Sequence, residues 1–562
     1  MEIVRRTVPA SARLLEAAGV PPVLARIYAA RGIAGAAELD HRLAALPSFA
    51  MLKDIDRAAE RLCRAIGVGE KIVIVADYDA DGATACAIGL KGLRSFGADI
   101  DFIVPNRFEF GYGLTPEIVA LAAQMAPRLL VTVDNGIASV EGVAAAAARG
   151  IDVLITDHHL PGPALPTPAI IVNPNQPGCP FPSKHIAGVG VMFYVLSATR
   201  ALLRAQGAFR LRQEPNLAHL LDLVALGTVA DVVRLDQVNR IFVTQGLARI
   251  RAGRAQPGVA ALFAVAGRDI SRASVHDLGF VAGPRLNAAG RLADMSLGIA
   301  CLMAEDSERA LSLATELDRL NHDRREVEAT MQEEALADLE SITLAREQSS
   351  LCLYRADWHQ GVVGIVASRL KDRFHRPAIV FARGGDGELK GSGRSIAGFH
   401  LRDALDLVSK RAPDIISKFG GHAFAAGLTI AEDTLPRFVA TFENIAREQL
   451  TPAQLQRTCD SDGLLASGDL TFDLASTLGR GVWGQGMPAP TFDDWFDVES
   501  ARVVGGKHTR MTLRRGDERF DAMLFQCIDT LPSRIHAAFH VGVNEWQGLF
   551  SLELCIEHWL PG

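Results

Sequence analysis

Between residues 70 and 175 the chain alternates between two hydrophobic patterns, and that alternation restricts the fold more than any other feature. KIVIVAD is followed by the helix-like GATACAIGLKGLRSFG, DIDFIVPN by TPEIVALAAQMA, RLLVTVD by the alanine-rich ASVEGVAAAAARG, and IDVLITD by a Pro-rich loop and AIIVNP. Continuous β-branched runs suit strands buried on both faces, and the helical segments between them suit crossover connections. Such connections are right-handed, so the stretch predicts an α/β architecture with a mostly parallel sheet covered by helices on both sides. The carboxyl ends of parallel strands share one edge, where sheets of this kind carry their sites.

Three of the predicted strands end in acid. VIVAD ends at Asp77 and runs into Asp79 and Asp81, LLVTVD ends at Asp134, and VLITD ends at Asp157, followed by His158 and His159. A lone aspartate there is usually the cap of the next helix, but three strand ends with a histidine pair on the third fit a metal site better. DYDADG also matches the opening of an EF-hand loop. The closing glutamate of such a loop is Ile88 here, the ninth position is Ala85, and a buried strand stands where a helix should precede it, so calcium is disfavoured. Carboxylates crowded this closely repel one another unless a cation offsets them, which argues against a plain surface turn. Mixed carboxylate and imidazole donors suit Mn²⁺ or Mg²⁺, and a pair of ions about 3.5–4 Å apart needs a bridging carboxylate. Asp134, alone at the end of the expected central strand, is the candidate bridge. Neighbouring histidines point in different directions, so one can ligate metal while the other faces substrate. LLDLVALGTVADVVRLDQVNR, residues 220–240, adds an apolar helix carrying Asp222 and Asp231, and a metal would relieve the cost of burying Asp231.

A length of 562 residues implies three or more domains, and a composition 49% hydrophobic and 22% charged is that of an ordinary folded chain. The eight cysteines are scattered singly, which disfavours a thiolate zinc site or a disulfide framework. No apolar run is long enough to span a membrane and the first residues lack the apolar core of a signal peptide, so a soluble cytoplasmic protein is expected. The net charge of −7 argues against a broadly basic nucleic-acid coat but leaves room for a local groove.

Together DYDADG, VDNG, TDHH and ALGTVAD resemble the motif set of the DHH phosphoesterase superfamily. The further segments GPRLNAAGR (283–291), GVVGIVASRL (361–370), GSGRS (391–395) and GGHAFAAG (420–427) are similar, in the same order, to those of its bacterial single-strand-specific exonucleases, from about residue 45 onward. The resemblance implies two Mn²⁺ or Mg²⁺ ions and hydrolysis of single-stranded DNA from the 5′ end to 5′-mononucleotides, in DNA repair and recombination. It implies Asp79, Asp81, Asp134, His158 and Asp231 as metal ligands with Asp77 and His159 beside them, and a catalytic set of Asp134, Asp157 and His159. Where many relatives carry a histidine four residues before Asp79 this chain has Val75, and Asp77 is the candidate replacement. Single-stranded DNA is the expected partner of a monomer, with a single-strand-binding protein and a RecQ-type helicase as candidate protein partners and no membrane.

GPRLNAAGR offers Arg285, Asn287 and Arg291 on a Gly-bounded loop suited to a phosphate. Residues 307–342 have helical spacing and dense charge, the pattern of a long exposed connecting helix beside a cleft. A second α/β unit follows, in which the family's DHH-associated domain would bind substrate through Ser392, Arg394 and His422. Short alternating strands after about residue 455 predict an oligonucleotide-binding (OB-fold) β-barrel, with Arg510, Arg514, Arg515, Trp546 and Phe550 as candidate strand contacts. The expected domains are an N-terminal helical cap (1–45), the DHH domain (46–300), the connecting helix (301–346), the DHH-associated domain (347–450) and the barrel (451–562). The alternative is a DHH-family phosphodiesterase acting on cyclic dinucleotides or short oligonucleotides. A single-strand-binding scaffold without catalysis is disfavoured because the full acidic and histidine set is present.

Overall fold

The computed structural model describes residues 1–562 apart from 106–112, 341–347, 386, 422, 547 and 548, with the backbone alone at 336–340, 545, 546 and 549. The chain forms two compact units. One comprises Arg5–Asn321 with Asp460–Gly562, and the other Met1–Val4 with His322–Cys459.

The first unit is built on a five-stranded parallel sheet. Its order is Ile100–Ile103, Ile72–Ala76, Leu129–Val133, Asp152–Thr156 and Ile170–Val172, so Leu129–Val133 is the central strand. Alternate residues of one strand enter two different cores, as the pleat requires. Ile72, Ile74 and Ala76 join the larger core beneath the helices Ala80–Phe96 and Gly188–Ala205, while Val73 and Val75 join the core beneath Pro116–Ala123 and Val140–Ala147. Gly89 and Gly92 let the helix Ala80–Phe96 lie close: a Cβ would come 2.9 Å from Ile74 Cδ1 at the first and 2.7 Å from Leu196 Cδ1 at the second. Val75 is buried in the same core as Val73, Leu130 and Ile155, so it offers the site only an apolar side chain.

The same unit holds a closed five-stranded barrel of Phe492–Val504, His508–Arg515, Glu518–Leu524, Leu549–Pro561 and Arg534–Trp546, closed by the parallel pairing of Glu518–Leu524 with Leu549–Pro561. The N-terminal helix Pro22–Ala30 is part of this barrel's core: Ile27 is buried in it, with Val23 and Leu24 packed alongside. Arg31 is buried against Asp462 at 2.8 Å, and Arg5 pairs with Asp493 at 2.7 Å.

The second unit carries a mixed sheet in the order Ile416–Gly421, Ala425–Ala431, Glu388–Arg394, Ala378–Arg383 and Leu351–Tyr354, in which only the last two strands run parallel. Helices Leu401–Arg411 and Leu435–Gln449 pack on one face and Val363–Phe374 on the other. GSGRS and much of GGHAFAAG lie on paired strands of this sheet, Ser392 opposite Gly427 and Gly393 opposite Ala426. The connecting helix is observed as Ser307–Glu340. It is less exposed than its charge suggests, because a stripe of Ala310, Leu313, Ala314 and Leu317 is buried in the first unit's core and Met331 and Ala335 in the second's. Among the described residues no helix is long and apolar enough to cross a membrane.

Candidate metal centre

The carboxyl edge of the parallel sheet gathers side chains from four segments. Asp79 caps the helix Ala80–Phe96, its Oδ1 accepting the Gly82 N–H at 2.9 Å. Asp81 is fully buried in the first turn of that helix, where its oxygens accept N–H groups of Gly188 (2.7 Å) and Val189 (2.9 Å) at the start of the 18-residue helix Gly188–Ala205. These two amides are helix N-terminal donors that have no partner within their own helix, and they suit a carboxylate. Asp134 follows the central strand with φ 63°, a left-handed conformation that costs a residue with a Cβ. Gly188 makes room for it: a Cβ there would stand 2.6 Å from Asp134 Oδ1. Asp231 ends the helix Leu221–Ala230, and the next residue, Val232, is also left-handed at φ 60°.

His158 stands in the middle of this set. Its Nε2 is 3.0 Å from Asp134 Oδ1, 3.5 Å from Asp231 Oδ2 and 3.9 Å from Asp81 Oδ2. Three donor groups fall within reach of a single ion each: Asp77, Asp79 and Asp134; Asp81, His158 and Asp231; and Asp134, His158 and His159. Asp134 belongs to two of them, and Asp79 and Asp81 fall in different ones.

Asp157 has another part. It is buried, and its oxygens accept the N–H groups of Ile137 (2.9 Å), His158 (2.7 Å) and His159 (3.0 Å) and contact His159 Nδ1 at 2.8 Å. It therefore fixes the turn that presents both histidines and orients the His159 ring. Burial alone would raise the Asp157 carboxyl, but the His159 hydrogen bond and the nearby imidazoles hold it below the usual carboxylate range. His159 rises to about 9: burial opposes its charge, and Asp157 more than compensates.

Four other carboxylates of the cluster shift the other way. Burial, then repulsion from neighbouring aspartates, drives Asp77, Asp134 and Asp231 well above the ordinary value, and Asp81 to about 7. Buried acids that repel one another around an imidazole are the donor set a divalent cation fits, because its charge offsets both costs.

Other residues singled out from the sequence lie elsewhere. Asp222 is buried away from the cluster, where its Oδ2 accepts the Gln256 N–H. GPRLNAAGR is not a loop: Gly283–Leu292 is an α-helix that continues a π-turn at Leu278–Ala282, and Pro284 suits its first turn. Arg285 is buried in it, its Nη1 donating to the Val281 carbonyl at 2.7 Å and its Nη2 2.7 Å from Asp318 on the connecting helix. Asn287 accepts the Ala80 N–H at 2.8 Å, and Arg291 is half-buried at the helix end. In the second unit, Arg394 Nη1 lies 3.2 Å from Ser392 Oγ, and both face Gly364 in the first turn of the helix Val363–Phe374. His422 lies outside the described residues.

On the barrel, Arg510 pairs with Asp521, Arg514 with Asp497, and Arg515 with Asp494 and Glu518. Phe550 is 53% exposed with the Arg272 guanidinium 5.5 Å from its ring centre, and the Trp546 side chain lies outside the described residues. Sequence reasoning missed Trp495, which is half exposed and stacks on His536 at 4.7 Å between ring centres. It also missed the amides of Gly188 and Val189, whose only signal was the small-residue run IAGVGV.

Three family descriptions match in sequence: the DHH family N-terminal domain over residues 71–228, the DHHA1 domain over 347–448 and the RecJ OB domain over 461–558. The chain is 50% identical over 556 residues to the single-stranded-DNA-specific exonuclease RecJ of Dickeya dadantii, covering 96% of each chain. The chain belongs to the RecJ exonuclease family. Among solved RecJ structures, that of Thermus thermophilus in complex with Mn²⁺ has a TM-score of 0.84 at 30% identity, covering all of this chain and 80% of that one. The Mg²⁺ complex of the same RecJ has a TM-score of 0.78 at 29% identity, covering 99% of this chain and 78% of that one. RecJ structures thus carry the two cations that the oxygen-rich donor set here suits.

Proposed function

We propose that this chain removes 5′-mononucleotides from single-stranded DNA, working from the 5′ end at a centre of two Mn²⁺ or Mg²⁺ ions. As a RecJ-family chain it is a nuclease specific for single-stranded DNA, with a role in DNA repair. The observation that carries the mechanistic reading is the position of Asp134, which completes one donor group with Asp77 and Asp79 and lies 3.0 Å from His158 of the other. Ions held there would supply an activated water and neutralise charge on the departing oxygen.

The chain's own residues do the rest. Asp77 and Asp79 with Asp134 form one half of the centre, and Asp81, His158 and Asp231 the other. The Gly188 and Val189 amides hold Asp81 in one rotamer, so the site is set before substrate arrives. His159, its ring oriented by the 2.8 Å contact of Nδ1 with Asp157, donates to a phosphoryl oxygen as negative charge builds there. In the DHH-associated domain, Ser392 and Arg394 beside the start of a 12-residue helix form a cradle for a phosphate. Arg285 and Arg291 add positive charge near the centre, and His422 completes the substrate set.

The proposed domains keep the boundaries expected from sequence: cap 1–45, DHH 46–300, a connecting segment 301–346 whose observed helix is Ser307–Glu340, DHH-associated 347–450 and barrel 451–562. The enzyme acts as a cytoplasmic monomer, fed by a single-strand-binding protein and a RecQ-type helicase. The test is digestion of a single strand labelled at either end, with products resolved by length over time. Release of labelled mononucleotide from the 5′ end at the earliest times is expected. First release from the 3′ end would overturn the polarity, and hydrolysis confined to a cyclic dinucleotide would favour the other kind of DHH phosphodiesterase.

A further inference from the structure

We infer that Asn287 is a positioning residue for the metal loop, and that the segment 278–292 is the spacer that sets the distance between the Asp79–Asp81 loop and Asp231. This rests on the two-group reading of the donors given above.

The loop side comes first. Ala80 lies between Asp79 and Asp81 and opens the helix Ala80–Phe96, so its N–H has no partner within that helix. Ala80 is 1% exposed, and water cannot serve as the missing partner. Asn287 Oδ1 accepts that N–H at 2.8 Å. One turn further along, on the same face, Gly290 meets the other side of the loop: a Cβ there would lie 1.9 Å from the Tyr78 carbonyl oxygen. Residues 78 and 80 flank Asp79, so the helix Gly283–Leu292 grips the backbone on both sides of one donor and just before another.

The opposite end of the same segment touches the helix end that presents Asp231. A Cβ at Gly279 would stand 3.2 Å from Val229 Cγ1, and one at Gly283 would stand 3.0 Å from Ala230 Cβ, in the last turn before Asp231. The π-turn at Leu278–Ala282 joins the two contacts, and such turns are concentrated at functional sites. The small residues of GPRLNAAGR are therefore explained by close backbone approach, and its asparagine by an orphan N–H beside the metal loop. Neither role requires a phosphate.

The experiment is Mn²⁺ titration of the whole chain by calorimetry, paired with single-stranded DNA binding in chelator. Asn287→Ala leaves a buried N–H unsatisfied and lets the loop relax, so Mn²⁺ is expected to bind about tenfold more weakly. DNA affinity without metal is expected to stay within about twofold of the parent, because on this reading the amide does not touch the strand. Asn287→Asp keeps an acceptor for the Ala80 N–H and is expected to keep parental Mn²⁺ affinity. If Asn287→Ala does not fold, Asn287→Asp decides: parental affinity supports the assignment and weakened affinity overturns it. Parental Mn²⁺ binding by Asn287→Ala with reduced DNA binding would overturn the inference and restore a substrate role. A parent that binds no Mn²⁺ would overturn the metal reading of the site and this inference with it, whereas a parent that binds Mn²⁺ beside an unaffected Asn287→Ala overturns the inference alone.

Discussion

Two fully buried carboxylates, one at the sheet edge and one in the barrel, end with opposite shifts although burial pushes both upward. Asp134 is raised well above the ordinary value by burial first, and then by repulsion from Asp81, Asp79, Asp231 and Asp77. Asp493 is held at about 2: burial would raise it, but hydrogen bonds from Arg5, Ser461 and His536 outweigh that. In the barrel the protein supplies its own cations, and the resulting pairs hold the N-terminal segment and the strands together. At the sheet edge it supplies like charges and imidazoles, an arrangement that gains most when a cation enters from outside. Burial of a carboxylate therefore says little about function until the sign of its neighbours is known.

With every carboxylate of the sheet edge kept, the largest break of this contrast is Gly188→Ala. The new Cβ would collide with Asp134 Oδ1 and push back the amide that holds Asp81. Displacing donors by a fraction of an ångström is expected to lower kcat on single-stranded DNA by about a hundredfold. Circular dichroism should show the fold retained, and near-parental turnover would mean that the geometry of the two donors matters little.

Asp493→Ala probes the opposite pole. It leaves Arg5 and His536 without their buried partner, and unfolding in urea should show a loss of about 3 kcal/mol. Turnover per folded molecule should change less than about threefold, since the residue is remote from the chemistry. A stable but inactive variant would dissolve the distinction between the two sites.

The same carboxylate sets a pH dependence. Its folded pKa lies below the unfolded value, so the unfolded chain binds more protons, and stability rises with pH through the interval between them. That contribution is fully present above about pH 4 and is lost as the pH falls toward about 2. Thermal unfolding followed between pH 5 and about 2 should show a shallower acid decline in Asp493→Asn than in the parent.

The smallest effect is expected from Arg514→Ala. This arginine is already paired with Asp497 and partly exposed, so stability should change by less than about 1 kcal/mol. The salt dependence of DNA binding should lose no more than about one unit of slope.

The parallel sheet was legible because each strand is an uninterrupted apolar run and each crossover a helical pattern, so the acidic strand ends had to meet on one edge. Asp134 was legible as central for the same reason. Asp157 was not, because an aspartate that orients histidines and one that ligates metal look alike until their hydrogen bonds are seen. The amides of Gly188 and Val189 left only the small-residue run IAGVGV as a mark, because backbone donors carry no residue type. GPRLNAAGR was misread as a loop because its glycines suggest turns, whereas here they allow close approach of a helix to the metal loop and to the end of Leu221–Ala230. The docking of Ile27 in the barrel core was hidden because amphipathic spacing identifies a buried face without naming what covers it.

The central claim is that Asp134 joins the two halves of one centre. Its most direct test is the rate at which Asp134→Ala, shown to be folded, digests 5′-labelled single-stranded DNA in saturating Mn²⁺. A loss on the order of a thousandfold is expected. Turnover within about tenfold of the parent would contradict the claim.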